Sequence, residues 1–424
     1  MARRWQGLAV AVAVALTTLA SAVMSQEYHS PWLTATVGGI EERLVLSTRF
    51  HGIIIFRDVA DSIYESVNVS FGGVTAIDVM VKVMNREAFS RPWNTTGFLG
   101  IGITSSPQPG WPFLNNSVDT ALQYHGMDRT SGVANVTFGA FPDEVSWSES
   151  MNVVHDFYYK RRSSFTVHNV TTCGVPLLAP ISSYWAGHID FQVPCLILPK
   201  EFYDTLTAWA PVEYNASANR TQVRDGVSLA DLPTLTFQTG LGSPLLSLRL
   251  QDLVLNNSNG SSPHHVCIER ADSVVNLVLE HRVVVQEDDI FTKELGGVSY
   301  VPNMYQAPIV FGAMVLQHLT TVLSDSTKQI GFVSTGTRPV KGVCNAAVAC
   351  TGDQTYHQAA NECRDPNCNA VYFHELDTDT KTCVVSLFWQ TVAGSVVAVF
   401  IVLEVFLERA RASLAGATLH EHAS

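Results

Sequence analysis

Two segments of the chain have the same pattern, in which an apolar run enters a short polar turn and a second apolar run leaves it. They span residues 44–56 and 188–199. The turn residues are Ser47, Thr48 and Arg49 in the first segment and Asp190, Phe191 and Gln192 in the second. Two facing carboxylates would share one proton and activate a water molecule for attack on an amide. Here the second turn has a carboxylate, whereas the first has only a serine hydroxyl.

The two turns resemble the active-site turns of pepsin-like aspartic proteases, each of which reads Asp, then Thr or Ser, then Gly. Further segments follow the family's order, and the strongest is 309–333, which resembles the late Ile-Leu-Gly-Asp strand and the turn after it. The other matching segments are 32–39, 96–102, 136–141 and 232–238. The resemblance implies an all-β, bilobal pepsin-like fold, and long ordered patterns are the most reliable basis for such an assignment. An unrelated all-β protein with coincidental turns is the alternative.

The resemblance implies that Ser47 stands in place of the first catalytic aspartate and that Asp190 is the retained acid of the pair. Arg49 and Gln192 stand where the family has glycine, which tight backbone packing favours. Arg49 is predicted to lie near the cleft floor and to hold Asp190 ionised by charge pairing. Because one carboxylate has no second acid with which to share a proton, we expect no ordinary peptidase activity. Asp190 is expected to act as a hydrogen-bond acceptor within its turn.

The predicted cleft residues come from the two turns and from a shortened flap. The family's flap carries a tyrosine followed by Gly-Thr-Gly, and the nearest match here is residues 70–74. The predicted cleft residues are Thr48, Arg49, Phe71, Gly72, Phe191 and Gln192. A cleft between two lobes is a favourable place for an extended peptide.

Other residues offer weaker chemistry. Asp58 and Asp61 follow the first turn but match neither catalytic turn. Ser47 and His51 have a spacing compatible with a nucleophile and its base, but no third group is evident that would orient the base. The tail at 420–422 reads His-Glu-His and could bind a metal ion, yet its position is typical of a solvated terminus. We therefore predict no metal ion and no cofactor.

The composition and the apolar runs limit which partners and which cellular location are expected. The formal net charge is −12 without a basic patch, which argues against nucleic acid as a partner. Two arginines followed by the apolar run 8–22 predict a signal peptide over residues 1–22. The charge-free run 384–403 is long enough to cross a hydrocarbon layer of about 30 Å. Basic residues after it predict a single-pass type I protein of the secretory pathway or plasma membrane.

Cysteines and sequons support a lumenal or extracellular ectodomain. An even number of cysteines in an oxidising compartment predicts up to four disulfides, with the pairing left open; the cysteines are Cys173, Cys195, Cys267, Cys344, Cys350, Cys363, Cys368 and Cys383. The last five indicate a cross-linked stalk, and a zinc site is disfavoured because the paired short spacing is missing. Glycosylation is predicted at Asn68, Asn94, Asn115, Asn135, Asn169, Asn215, Asn219, Asn256 and Asn259.

The predicted organisation follows from these features. The segments are a signal peptide (1–22), an N-terminal lobe (27–155), a C-terminal lobe (156–338), a Cys-rich stalk (339–383), a transmembrane helix (384–407) and a cytoplasmic tail (408–424). The favoured function is an inactive, membrane-anchored protease homologue that binds a peptide or protein. The alternative is an atypical aspartic endopeptidase that works through Asp190. Two chains that each lend one Asp190 are a weaker idea, because a two-lobed chain already has two turns.

Overall fold

The structure is a computed structural model. It describes residues 30–48, 51–85, 95–102, 120–128, 131–148, 164–177, 184–255, 264–271, 308–324, 327, 329–334, 340, 342–370 and 372–420. The predicted signal peptide, Arg49 and four of the sequon asparagines lie outside these residues; the four are Asn94, Asn115, Asn256 and Asn259. The chain divides into two compact units, Met1–Asn345 and Ala346–Ser424.

The first unit consists mainly of strands. Its first half contains β1 (Trp32–Val37), β2 (Ile40–Ser47), β3 (His51–Arg57), β4 (Ile63–Phe71), β5 (Val74–Asn85), β6 (Gly97–Ile101), β7 (Thr120–Met127), β8 (Ala134–Ala140) and β9 (Ser146–Trp147). Its second half contains β10 (Ser164–Thr172), β11 (Val175–Pro176), β12 (Trp185–Asp190), β13 (Leu196–Pro199), β14 (Val212–Asn215), β15 (Arg220–Val223), β16 (Thr234–Gln238), β17 (Leu246–Arg249), β18 (His265–Val266), β19 (Ile268–Ala271), β20 (Ile309–Gly312), β21 (Leu319–Ser324) and β22 (Gln329–Ser334). Among the described residues, the unit also contains the helices α1 (Lys200–Trp209) and α2 (Ala313–Leu316) and the 3₁₀ turns Leu229–Asp231 and Leu250–Leu253.

The first six strands close a barrel in the order β1-β2-β6-β3-β5-β4. Period-two burial explains why these segments form a sheet around a core: β1 buries Leu33, Ala35 and Val37 and exposes the threonines between them. The β1–β2 connection is a two-residue turn, Gly38–Gly39, with φ values of +59° and +83° that only glycine adopts readily.

The second half forms a larger sheet with the strand order β17-β16-β10-β12-β20-β13-β19, and β11 pairs with β10 at its side. A smaller sheet contains β14, β15 and β18. Aromatic rings fill the interior, where Phe165 lies 5.2 Å from Phe311 and 5.1 Å from Phe332 between ring centroids. The β-rich character of the body predicted from the sequence is confirmed.

A further sheet joins the two halves of the unit. Its order is β8-β7-β21-β22-β9, so the two strands from residues 319–334 lie side by side between strands from residues 120–147. The register pairs Tyr124 with Thr321 and Leu122 with Leu323. The predicted N-terminal and C-terminal lobes therefore share one sheet, in which β7 of the first half forms backbone hydrogen bonds with β21 of the second half.

All eight cysteines pair, which confirms the four expected disulfides and leaves no thiolate for zinc. The pairs are Cys173–Cys344, Cys195–Cys267, Cys350–Cys363 and Cys368–Cys383. Cys344 was predicted to lie in the stalk, but the structure places it in the first unit. The reason is the disulfide to Cys173 together with backbone bonds from Thr234 to Val340 and from Val343 to Asp231.

The second unit is a small module followed by a long helix. Two hairpins, β23 (Thr355–His357) with β24 (Glu362–Arg364) and β25 (His374–Asp377) with β26 (Thr382–Val385), each carry one disulfide, which ties the second strand to a cysteine before the hairpin. A 3₁₀ turn, Cys368–Ala370, lies between them, and helix α3 covers Leu387–His420. The apolar helix was expected to begin at Val384. It begins three residues later because Val384 and Val385 pair with β25.

Candidate functional site

The two turns occupy equivalent positions in two equivalent sets of strands. In the barrel, β6 runs parallel to β2 and antiparallel to β3, and its register pairs Ser47 with Gly100. In the second half, β20 runs parallel to β12 and antiparallel to β13, and its register pairs Asp190 with Gly312. A fourth strand continues each set in parallel, β5 beside β3 and β19 beside β13. Ser47 thus stands at the position that Asp190 holds in the other half.

A buried hydrogen bond joins the two turns. The Thr48 hydroxyl donates to the carbonyl oxygen of Ile189 over 2.7 Å, across 141 residues of sequence. Each of these two residues is the chain neighbour of a predicted site residue, Ser47 in one case and Asp190 in the other. The structure therefore brings the serine turn and the aspartate turn together where the two halves meet.

Phe191 holds the position in the second turn that Thr48 holds in the first. Its ring is fully buried and lies edge-on to Tyr124, with 4.5 Å between ring centroids. A phenylalanine has no hydroxyl with which to return the bond that Thr48 makes. The hydrogen bond of Thr48 to Ile189 is thus not repeated by the side chain at the equivalent position of the second turn, which contributes aromatic packing.

The Asp190 carboxylate organises its own turn. It is half-buried, and its Oδ1 accepts a hydrogen bond of 3.0 Å from the backbone N–H of Gln192. This side-chain-to-backbone contact is the usual way in which aspartate stabilises a turn. It agrees with the expected role of Asp190 as a hydrogen-bond acceptor.

Three of the predicted cleft residues are buried rather than presented to a ligand. Thr48 is 1% exposed, Phe191 is 0% exposed and Gln192 is 5% exposed. The Gln192 side-chain oxygen has no hydrogen-bond partner among the residues that the structure describes. These side chains support the turns, and Asp190 is the more accessible polar group. Arg49, the remaining predicted residue of the first turn, lies outside the described residues.

Phe71 and Gly72, the predicted flap residues, lie against a different element. Phe71 is buried and packs edge-on to Phe138 of β8, with 4.9 Å between centroids, and a Cβ on Gly72 would meet the Val136 carbonyl oxygen at 3.6 Å. The β1 register aligns Ser70 with Thr36, which in turn pairs with Glu41. Glu41 lies six residues before Ser47, or roughly 20 Å along the strand. The described contacts of Phe71 and Gly72 are therefore with β8, and their place in the cleft stays a prediction.

Two of the weaker candidates, Asp58 and Asp61, lie at the opposite end of β3 from the first turn. Asp58 and Asp61 are exposed and follow the end of β3 remote from the turn, about 23 Å along that strand. His51 begins β3, and His420 ends α3. Within the described ranges, no group of three or more His, Cys, Asp and Glu side chains is placed to hold a metal ion.

Sequence reasoning missed Tyr124, which packs on Phe191. Tyr124 is fully buried, burial raises the pKa of its phenol, and its hydroxyl has no partner within the described part of the chain. The signal was the apolar pattern of β7. The contact of Tyr124 with Phe191 could not be predicted because β7 and the second turn are far apart in the sequence.

The sequon asparagines that the structure describes lie at the surface. Four are exposed and Asn215 is half-buried. The exposed four are Asn68, Asn135, Asn169 and Asn219. Their side chains are therefore accessible enough to carry the glycans that the sequence predicts.

The fold and the paired turns together define the class of protein that this chain resembles. It is similar to the crystal structure of an aspartic proteinase from Irpex lacteus, with a TM-score of 0.50 and 14% sequence identity. The match covers 72% of this chain and 94% of the proteinase. At this identity the similarity shows a pepsin-like fold. No protein-family model matches the sequence, and no curated protein matches it either.

Proposed function

We propose that the protein is a membrane-anchored, pepsin-like protein without peptidase activity that binds a peptide or protein segment. The observation that carries the proposal is the strand register, in which Ser47 takes the place equivalent to Asp190. The fold that positions two acids is thus kept, while one acid is replaced by a hydroxyl.

The missing carboxylate removes the chemistry for a physical reason. Two acids a few ångströms apart share a proton, so that one activates water while the other donates to the scissile carbonyl. Ser47 is 1% exposed and offers a hydroxyl, which does not act as a base near neutral pH. Asp190 is left with a hydrogen bond inside its turn and without the like-charge coupling that defines a catalytic dyad.

The long helix and the disulfides support anchoring in a membrane of the secretory pathway. The apolar part of α3, Leu387–Arg411, has 25 residues, a mean hydropathy of 2.1 and no burial against the rest of the protein. At 1.5 Å per residue it extends about 37 Å, enough to cross a hydrocarbon layer of about 30 Å. Disulfides persist in oxidising compartments. In the proposal, the part of the chain that precedes this helix therefore lies on the lumenal or extracellular side.

The alternative function is an atypical endopeptidase that works through Asp190. It is favoured by the partial exposure of Asp190, which leaves the carboxylate accessible beside the first turn. In that case a water molecule would be activated by a single acid, with Ser47 or Thr48 as a hydrogen-bonding partner.

One experiment separates the two functions. The purified full-length protein is incubated with a peptide library from pH 3.5 to pH 7, beside an Asp190→Ala variant, and products are identified by mass spectrometry. We expect no cleavage above that of the variant, together with retention of a subset of intact peptides. Cleavage that is present in the original protein and lost in the variant would establish the endopeptidase. Absence of both cleavage and peptide retention would overturn the binding proposal.

A further inference from the structure

The second hairpin of the second unit is joined to helix α3 without a linker. Strand β26 ends at Val385 and α3 begins at Leu387. Three hydrogen bonds fix the connection: Ser386 N–H to the Phe373 carbonyl at 2.8 Å, Leu387 N–H to Glu375 Oε1 at 3.2 Å, and the Gln390 side chain to the Val385 carbonyl at 2.8 Å. We call Tyr372, Phe373, the hairpin β25–β26 and the first turn of α3 together the junction.

Aromatic side chains cluster at the junction and face solvent. The Phe373 and Trp389 rings lie edge-on with 4.5 Å between centroids, and Phe388 and Tyr372 extend the cluster at 5.3 Å from Trp389 and 6.2 Å from Phe373. Tyr372 is 84% exposed, Phe388 65% and Phe373 53%. Soluble surfaces rarely expose contiguous apolar groups of this size, and such patches mark contact sites.

The backbone at Phe373 adopts an unfavourable conformation. Its φ is +70°, in the left-handed region that a bulky side chain seldom enters. Such conformations persist where the surroundings determine them, and they concentrate at functional positions. Here the Phe373 carbonyl accepts the Ser386 bond and its ring packs on Trp389, so these contacts hold Phe373 in its unfavourable conformation and the hairpin against the start of the helix.

The other hairpin of the same module differs. Its strands are short and mostly charged or polar, and its aromatic residue, Tyr356, donates its hydroxyl to Asn361 Oδ1 at 2.9 Å. Within the described part of the module, exposed aromatic surface is thus concentrated at the end that continues into α3. This asymmetry indicates a partner located where the helix begins.

We infer that the junction lies in the interfacial layer of the bilayer, with the lipid headgroup and upper acyl region as its partner. The inference rests on the membrane anchoring proposed above. Tryptophan and tyrosine favour this layer because one part of each side chain is apolar and the other polar. Continuity with an apolar helix places Tyr372, Phe373, Phe388 and Trp389 at the depth where such a belt forms. The disulfide-bonded module before α3 is therefore in contact with the membrane surface and is not a flexible linker.

Photo-crosslinking of the full-length protein in nanodiscs tests the inference. One preparation contains a phosphatidylcholine with a diazirine close to the glycerol backbone, and a second contains the diazirine at the acyl chain end. Adducts are mapped by mass spectrometry. We expect the interfacial probe to label Tyr372 and Phe373 at least ten-fold more than Tyr356, which is 36% exposed in the other hairpin and serves as the matched control. The chain-end probe is expected to label the middle of the helix, near Phe400.

The outcomes distinguish this inference from the proposed anchoring. Labelling near Phe400 without labelling of Tyr372 and Phe373 would overturn the inference and leave the anchor intact. Equal labelling of Tyr356 and Tyr372 would also overturn it, because the contact would then not be specific to the junction. If Phe400 is not labelled by the chain-end probe, the anchoring itself fails and the inference fails with it.

Discussion

One buried hydrogen bond between the two turns is donated by a hydroxyl of the first turn. Thr48 donates to the Ile189 carbonyl, while the equivalent position in the second turn is Phe191, whose ring packs on Tyr124. The two equivalent positions thus stabilise the turns differently: Thr48 donates a hydrogen bond, whereas Phe191 makes an aromatic contact. Thr48 therefore contributes to the geometry of the turns, beside the hydrogen bond that Asp190 accepts within the second turn.

Replacing Thr48 by valine tests this dependence. Valine keeps the shape but cannot donate, so the buried Ile189 carbonyl loses that bond, at an expected cost of about 1–3 kcal/mol in the free energy of unfolding. The measurement is urea unfolding of the full-length protein in detergent. Thr34→Val is the matched control, because Thr34 is exposed on β1, and it should change stability by less than about 0.5 kcal/mol. Equal effects of the two variants would contradict the role assigned to Thr48.

At this scale the sequence predicted the identity of the site residues better than their exposure. The equivalence of Ser47 and Asp190 could be predicted because each follows an apolar strand of the same pattern, and the register agrees. The burial of Phe191 and Gln192 could not be predicted, because it depends on strands that lie remote in sequence, such as the one that carries Tyr124.

Close backbone approach defines the central strand of each set. A Cβ on Gly312 of β20 would lie 2.3 Å from the Cys195 carbonyl oxygen and 2.6 Å from that of Val193. A Cβ on Gly97 of β6 would lie 2.2 Å from the Ile54 carbonyl oxygen. Both sets of strands therefore require glycine at this point of the central strand, where the backbone of a neighbouring segment leaves no room for a Cβ.

Gly312→Ala is expected to destabilise the first unit by about 3 kcal/mol or more, because backbone atoms rather than flexible side chains occupy the space. The unfolding transition is followed by circular dichroism. Gly139→Ala in β8 is the control, since its Cβ would have 3.9 Å to the nearest atom, and a change within about 1 kcal/mol is expected. A Gly312→Ala protein as stable as the control would contradict this expectation, because the backbone at Val193 and Cys195 would then be able to move away from the added Cβ at little cost.

The glycine pair at 72–73 illustrates where element-scale prediction fails. Two consecutive glycines between apolar runs predict a hairpin turn, and the structure has one. The sequence does not say which neighbour the hairpin meets. That is decided by pairing with β1 and by the contact of Phe71 with Phe138, so the expected flap packs on β8 instead.

For the whole molecule, the disulfides divide along the boundary between the two units. Cys173–Cys344 closes 171 residues of the first unit, whereas Cys350–Cys363 closes 13 residues of the second. The sequence predicted cysteine pairing but not this division, because spacing alone does not reveal that residues 340–345 return to the body.

Removing each disulfide should therefore affect a different unit. The Cys173→Ala/Cys344→Ala variant is expected to lose about 5 kcal/mol of stability in the first unit from the loop-entropy relation. The matched Cys350→Ala/Cys363→Ala variant should lose about 3 kcal/mol in the second unit and leave the first unchanged. Hydrogen exchange resolved by peptide mass spectrometry reports the two units separately. Loss of protection in the first unit after removal of Cys350–Cys363 would show that the units do not fold independently.

The sheet shared by the two halves has a consequence during synthesis. Tyr124 and Leu122 leave the ribosome nearly 200 residues before Thr321 and Leu323, their partners. At about 5–20 residues per second, the open edge of β7 waits roughly 10–40 s for its neighbour. An unpaired strand edge is a template for aggregation, so the nascent chain is exposed to misassociation through that interval.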